Sequence, residues 1–83
     1  MRGPVHDAEL RLDCGSAKHA KAVAGALRVE LHDGPDGVTA RCSTEGRTLV
    51  ASVAAPHLPA LRAALTSLIR LADAGVRTAR LAD

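Results

Sequence analysis

Phenylalanine, tyrosine and tryptophan are absent from this 83-residue chain. A buried aromatic ring hides roughly 150–250 Å² of apolar surface, so the core must be assembled from aliphatic side chains alone. Ala, Leu and Val dominate the 47% of residues that are hydrophobic, and a chain this short buries a smaller share of its surface than a longer one. One marginal domain follows, of the kind that disulfides, a metal or a partner stabilise. The lack of rings also removes the platforms on which single strands are held without sequence preference, so any RNA contact would be to the backbone.

Cysteine is nearly as scarce. Cys14 and Cys42 are too few and too far apart for a disulfide framework or a zinc site, which need clustered or repeated cysteines. They read as small, reduced hydrophobes. A long apolar run is missing too: Met1 to Asp7 is polar, unlike a signal peptide, and nothing approaches the length of a membrane span. The expectation is a cytoplasmic protein. Charge of one sign is also lacking, since eleven basic residues face nine acidic ones for a net +2. That balance is too even to indicate a free-standing nucleic-acid binder.

What is present is a legible order of elements. After a flexible tail over residues 1–7, a single domain is expected over 8–83. Ala8, Leu10, Leu12 and Cys14 alternate with Glu9, Arg11 and Asp13, the pattern of a strand buried on one side. Gly15 breaks it, and Ser16 can cap a helix in which Ala20, Val23, Ala24, Leu27 and Leu31 recur at helical spacing. H-D-G-P-D-G from His32 to Gly37 is a dense turn signal. Alternation from Val38 to Ser43, a turn around Glu45, Gly46 and Arg47, and a β-rich run over Thr48–Ala54 read as a hairpin. Pro56 and Pro59 end that strand and tolerate a helix start, and Ala60–Ala74 is the longest clear helix.

The order is β-α-β-β-α, an α+β fold with a three-stranded sheet and two helices on one face, the ferredoxin-like pattern short of its fourth strand. The third strand should lie between the first and second. An unpaired edge then remains, and exposed edges invite another chain. A homodimer with a continuous sheet is expected, through the first strand or the second.

No catalytic, cofactor-binding or metal-binding residue can be nominated. His6, His19, His32 and His57 stand at no recognised ligand spacing. Asp33, Asp36 and Gly37 lack the alternating ligands and distal Glu of a calcium loop, and Pro35 stiffens the segment. Neither glycine-rich phosphate fingerprint follows the first strand. Ser16, Ser43, Ser52 and Ser67 lie in no nucleophile elbow. The expectation is a non-enzyme that needs no cofactor.

The last helix carries the richest pattern, for its apolar residues cover about half the circumference of a helical wheel. Leu58, Leu65, Ile69, Ala72 and Val76 are expected to face the sheet. Leu61, Ala64, Leu68 and Leu71 form a second stripe toward the first helix, which either covers it completely or leaves it for a partner. Arg62 and Arg70, with Lys18, Lys21 and Arg28 of the first helix, can form a basic margin for phosphates or a solvated face.

Three segments resemble one family. G-A-L-R-V-E over Gly25–Glu30, the strand ending V-A-A-P, and L-R-A-A-L-T-S-L-I-R over Leu61–Arg70 are similar to the CTAG/Pcc family, the Pcc-type subunit of the KEOPS complex. Leu61, Arg62, Ala63, Ser67 and Arg70 fit the family's usual helix, while Thr66 stands where Asn is common. The resemblance implies a non-catalytic, dimerising subunit whose helices pack against the Kae-type catalytic subunit. It implies support for threonylcarbamoyladenosine formation in tRNA, with metal and ATP held by other subunits. On that reading Val23, Leu27, Leu61, Ala64, Leu68 and Leu71 contact the catalytic subunit. Lys18, Lys21, Arg28, Arg62 and Arg70 contact tRNA phosphates.

Two rival classes remain. An independent KH-like RNA-binding module has the right size but needs a G-x-x-G loop between helices that the chain lacks. A ligand-sensing dimer needs a convergent polar pocket that the sequence does not announce.

Overall fold

The structure is a computed structural model that describes residues 5–31 and 37–81. Strand β1 is His6–Asp13, helix α1 is Ala17–Glu30, strands β2 and β3 are Thr39–Glu45 and Thr48–Ala55, and helix α2 is Leu58–Leu81. The three strands form one sheet in the order β1-β3-β2, antiparallel throughout. The expected order and the central place of β3 are both present, leaving β1 and β2 as edges. The turn expected over His32–Gly37 lies outside the described residues except for Gly37.

Alternation builds the sheet. Along β1 the odd positions Asp7, Glu9, Arg11 and Asp13 are exposed, and the even positions are half-buried under the helices. The strand starts earlier than its pattern suggests: His6 and Asp7, assigned to a tail, pair with Ala55 and Ala54. Length in β3 sets this, because an antiparallel partner continues as long as opposing backbone groups are there to bond.

The β2–β3 hairpin closes on the two residues between Glu45 and Thr48. Gly46 has φ 60° and, among the described residues, no non-glycine residue has positive φ, so only the first loop residue is left-handed, as a type II′ turn requires. This turn matches the twist of the strands, and glycine adopts it without the clash a Cβ brings.

Helix α1 begins where expected. Ser16 is extended, and its hydroxyl oxygen accepts from the His19 N–H at 3.1 Å, satisfying a donor the first turn leaves free. It buries Ala20, Val23, Ala24 and Leu27, one stripe at i, i+3, i+4 and i+7.

Helix α2 departs from its pattern. It runs to Leu81 rather than stopping near Ala74, passing through Gly75. A Cβ on Gly75 would stand 3.1 Å from Val23 Cγ1; the glycine marks the helix crossing, where close approach outweighs poor propensity. The faces differ too. Leu61, Leu68, Ala72 and Val76 are buried, whereas Leu58 and Ile69, expected against the sheet, are each 48% exposed.

The core lies between the sheet and the helices in two clusters. One gathers Val23, Leu27, Leu49, Ala72 and Val76; the other gathers Ala51, Val53, Leu61 and Leu68. Leu10, Leu31 and Cys42 pack against both. Helix α1 packs over β2 and β3, and α2 over β3 and β1. The opposite sheet face carries no helix, and no described helix is long and apolar enough to cross a membrane.

Candidate partner-binding surfaces

The expected contact residues divide by burial. Val23, Leu27, Leu61 and Leu68 belong to the core, where they hold the helices to the sheet and present nothing to a partner. Ala64 and Leu71 are half-buried. The second stripe of α2 is therefore consumed inside the fold over most of its length. Leu61 and Leu68 close the cluster under β3, and Val23 and Leu27 of α1 close the other.

A different apolar surface lies on the outer side of the helix pair. Ala22 and Ala26 of α1 face Leu71, Ala74, Gly75 and Ala79 of α2 across a groove of about 360 Å³. Small residues recur four apart on both walls, so the groove is smooth and a helix backbone can approach it closely. Gly25 and Ala26 are exposed beside it, and Val29 is 73% exposed. Of these residues sequence reasoning named Leu71 alone, because an alanine or glycine signals nothing about burial. The one available signal was the spacing Ala22/Ala26 and Gly75/Ala79, and the clear helical pattern, which fades after Ala74, left half of it unread.

The five expected cations, Lys18, Lys21, Arg28, Arg62 and Arg70, are all exposed. They do not make one margin. Arg28 borders a recess at the β2 edge with Leu31, Ala40, Arg41 and Cys42. Arg70 borders a groove at the β1 edge with Leu10, Leu12 and Ile69. The two arginines thus flank opposite edges of the sheet. Asp73, on the same helix as Arg70, pairs with Arg77 at 3.2 Å.

That second groove, of about 440 Å³, runs between β1 and α2. It exists because α2 packs over β1, the outermost strand, so the flank carrying Ile69 has no strand beneath it. Leu10, Leu12, Ala72 and Val76 continue its apolar lining, and Asp13, Asp73, Arg70 and Arg80 stand at its rim.

The uncovered sheet face is polar and internally compensated. Arg11 Nε donates to Glu9 at 3.0 Å, and its terminal nitrogen donates to Glu45 at 3.2 Å. These two hydrogen bonds, Glu9 first, raise the guanidinium pKa further above its ordinary value. Arg47 pairs with Asp13 at 3.0 Å. The face therefore projects no field of one sign.

Chemistry-bearing groups are few. Burial pushes the Cys14 thiol up, away from thiolate, which makes it inert as a nucleophile. Cys42 donates its thiol to the Ala24 carbonyl at 3.7 Å. Among the described residues no group of three or more His, Cys, Asp or Glu is placed to hold a metal.

In a comparison with known families, the model described as transcription factor Pcc1 aligns with residues 7–80, from the second residue of β1 almost to the end of α2. No curated protein matches the chain.

Proposed function

The chain belongs to the Pcc1 family, the small-subunit family of the KEOPS complex, and from that premise we propose that it is the non-catalytic, dimerising subunit that binds the Kae-type catalytic subunit. It thereby supports threonylcarbamoyladenosine formation in tRNA in the cytoplasm. The observation that carries the reading is the outer groove between α1 and α2. A groove walled by Ala22, Ala26, Ala74 and Gly75 accepts a helix of the partner at close range, and its exposed apolar lining matches a subunit that is marginal alone.

The contact residues proposed here are accordingly Ala22, Ala26, Leu71, Ala74 and Ala79, with Ala64 along the same helix. Direct contact with tRNA is the secondary element, through Lys18 and Lys21 on α1 or Arg62 and Arg70 on α2 rather than through all five cations together. Eleven basic residues against nine acidic suit a subunit that guides RNA within a complex better than a free-standing DNA or RNA binder.

The test is co-expression with the catalytic subunit of the same genome, followed by light scattering after size exclusion. Ala26→Glu is the informative variant because Ala26 is exposed and its replacement disturbs no core contact. Wild type should form a stable complex, and Ala26→Glu should lose it while keeping its helical spectrum. A wild-type chain that folds yet ignores the catalytic subunit overturns the reading.

A further inference from the structure

We infer that Lys18 and Glu30, at opposite ends of one row on α1, fix the direction in which a partner helix lies in the outer groove. That helix sets a carboxylate beside Lys18 and a cation beside Glu30, about 18 Å apart at the rise of an α-helix. This rests on the reading of the groove as the docking surface for the catalytic subunit, and it assigns that surface a charge code.

Helical spacing makes the row. Lys18, Ala22, Ala26 and Glu30 follow one another four apart on α1 and are all exposed, so they stack along one line of the helix. Ala22, Ala26 and Glu30 line the groove, and Lys18 stands one turn before Ala22. The other groups that line it are small or aliphatic, apart from Thr78, whose hydroxyl donates to the Ala74 carbonyl at 2.9 Å. Glu30 is then the one charge in the lining.

Two facts set these charges apart from the rest of the surface. Neither Lys18 nor Glu30 has a hydrogen-bond or ion-pair partner among the described residues, whereas Asp73, the other acid on the two helices, pairs with Arg77. Both also stand at the wrong end of α1. A helix is positive at its N-terminus and negative at its C-terminus, yet Lys18 lies in the first turn of α1 and Glu30 is its last residue. Within this chain each charge is disfavoured where it stands, and no local contact offsets it.

A partner helix of complementary charge relieves both at once. A helix with acids in its first turn and bases in its last, the arrangement its own dipole favours, meets both by running parallel to α1. The small residues between let it come close, and the two charges choose its direction. Lys18 thereby leaves the set of cations open to RNA.

The experiment takes nuclease-treated wild type, Lys18→Glu, Glu30→Lys and Ala26→Glu and reads two quantities. Titration calorimetry gives the affinity for the catalytic subunit of the same genome, and circular dichroism gives the thermal midpoint of the chain alone. Each charge reversal should weaken the affinity by about tenfold or more, because like charges then meet across the interface. The midpoint of the chain alone should hold or rise, because each reversal brings an end of α1 into agreement with its dipole. Added salt should weaken wild type more than the neutral double variant Lys18→Met, Glu30→Gln. Reversals that bind as tightly as wild type while Ala26→Glu does not overturn the charge code and leave the groove as the docking surface. Reversals that lower the midpoint overturn it as well, since the charges then serve the fold. A loss of affinity seen only when tRNA is left in the sample hands Lys18 back to RNA and overturns the code. A wild-type chain that ignores the catalytic subunit overturns the code together with the reading beneath it.

Discussion

Gly75 and Gly25 look alike in the sequence, two glycines inside helices, and they have opposite reasons to be there. A Cβ at Gly75 meets Val23 Cγ1 at 3.1 Å, while at Gly25 nothing lies within 4 Å. Gly75→Leu should therefore destabilise by about 1–3 kcal/mol through overpacking at the crossing. Gly25→Ala should stabilise by about 0.5–1 kcal/mol through helix propensity alone. Urea titration followed by circular dichroism reads both, and equal effects would mean that the helices do not cross at Gly75. The same scale explains why Leu68 is a poor probe of an interface. Its side chain is 1% exposed, and a buried Leu→Ala change costs about 2–5 kcal/mol, so a charge there reports unfolding.

At the scale of elements, the tail end of α2 decides more than its sequence suggests. Val76 is buried and Ala79 packs against the cluster around Leu27 and Leu49, both beyond the point where the apolar pattern first offers a stop. Ending the chain at Ala74 should cost at least the burial of Val76, about 1.5–3 kcal/mol, and lower the midpoint of thermal unfolding. A truncated chain as stable as the full one would mean that the last two turns lie off the core. The strands divide the work differently. Central β3 buries Leu49, Val50, Ala51, Val53 and Ala55, while β1 and β2 each keep one solvated face of the kind antiparallel sheets tolerate.

For the molecule as a whole, an aromatic-free core of two clusters sets the expectation that stability comes partly from association. A chain that gains stability from a second copy unfolds at a temperature that rises with its concentration. Over roughly a hundredfold range of concentration the midpoint should climb, and addition of the catalytic subunit should raise it further. Peptide-bond ellipticity must be the signal, since the chain has no aromatic side chain. A midpoint indifferent to concentration would show that the fold stands alone.

Local chemistry made much of this legible in the sequence. Alternation marked β1 and β2, a β-rich run marked β3, Ser16 marked the start of α1, Gly46 marked the hairpin, and the i, i+3, i+4 recurrence of Ala20, Val23, Ala24 and Leu27 marked the buried face of α1. These signals survive because each depends on neighbours a few residues away. Short motifs carried the family as well, for the resemblance over Gly25–Glu30 and Leu61–Arg70 agrees with the match over residues 7–80. Tertiary structure decided which of the apolar residues on α2 are spent in the core and which remain at the surface. A helical wheel reports only that the apolar arc is broad. Whether Leu68 or Ile69 is covered depends on where β1, the edge strand, leaves the helix without a strand beneath it. The outer groove was equally hidden, because an alanine or glycine reads the same under another helix or in water, and only the crossing at Val23 and Gly75 makes a surface of them.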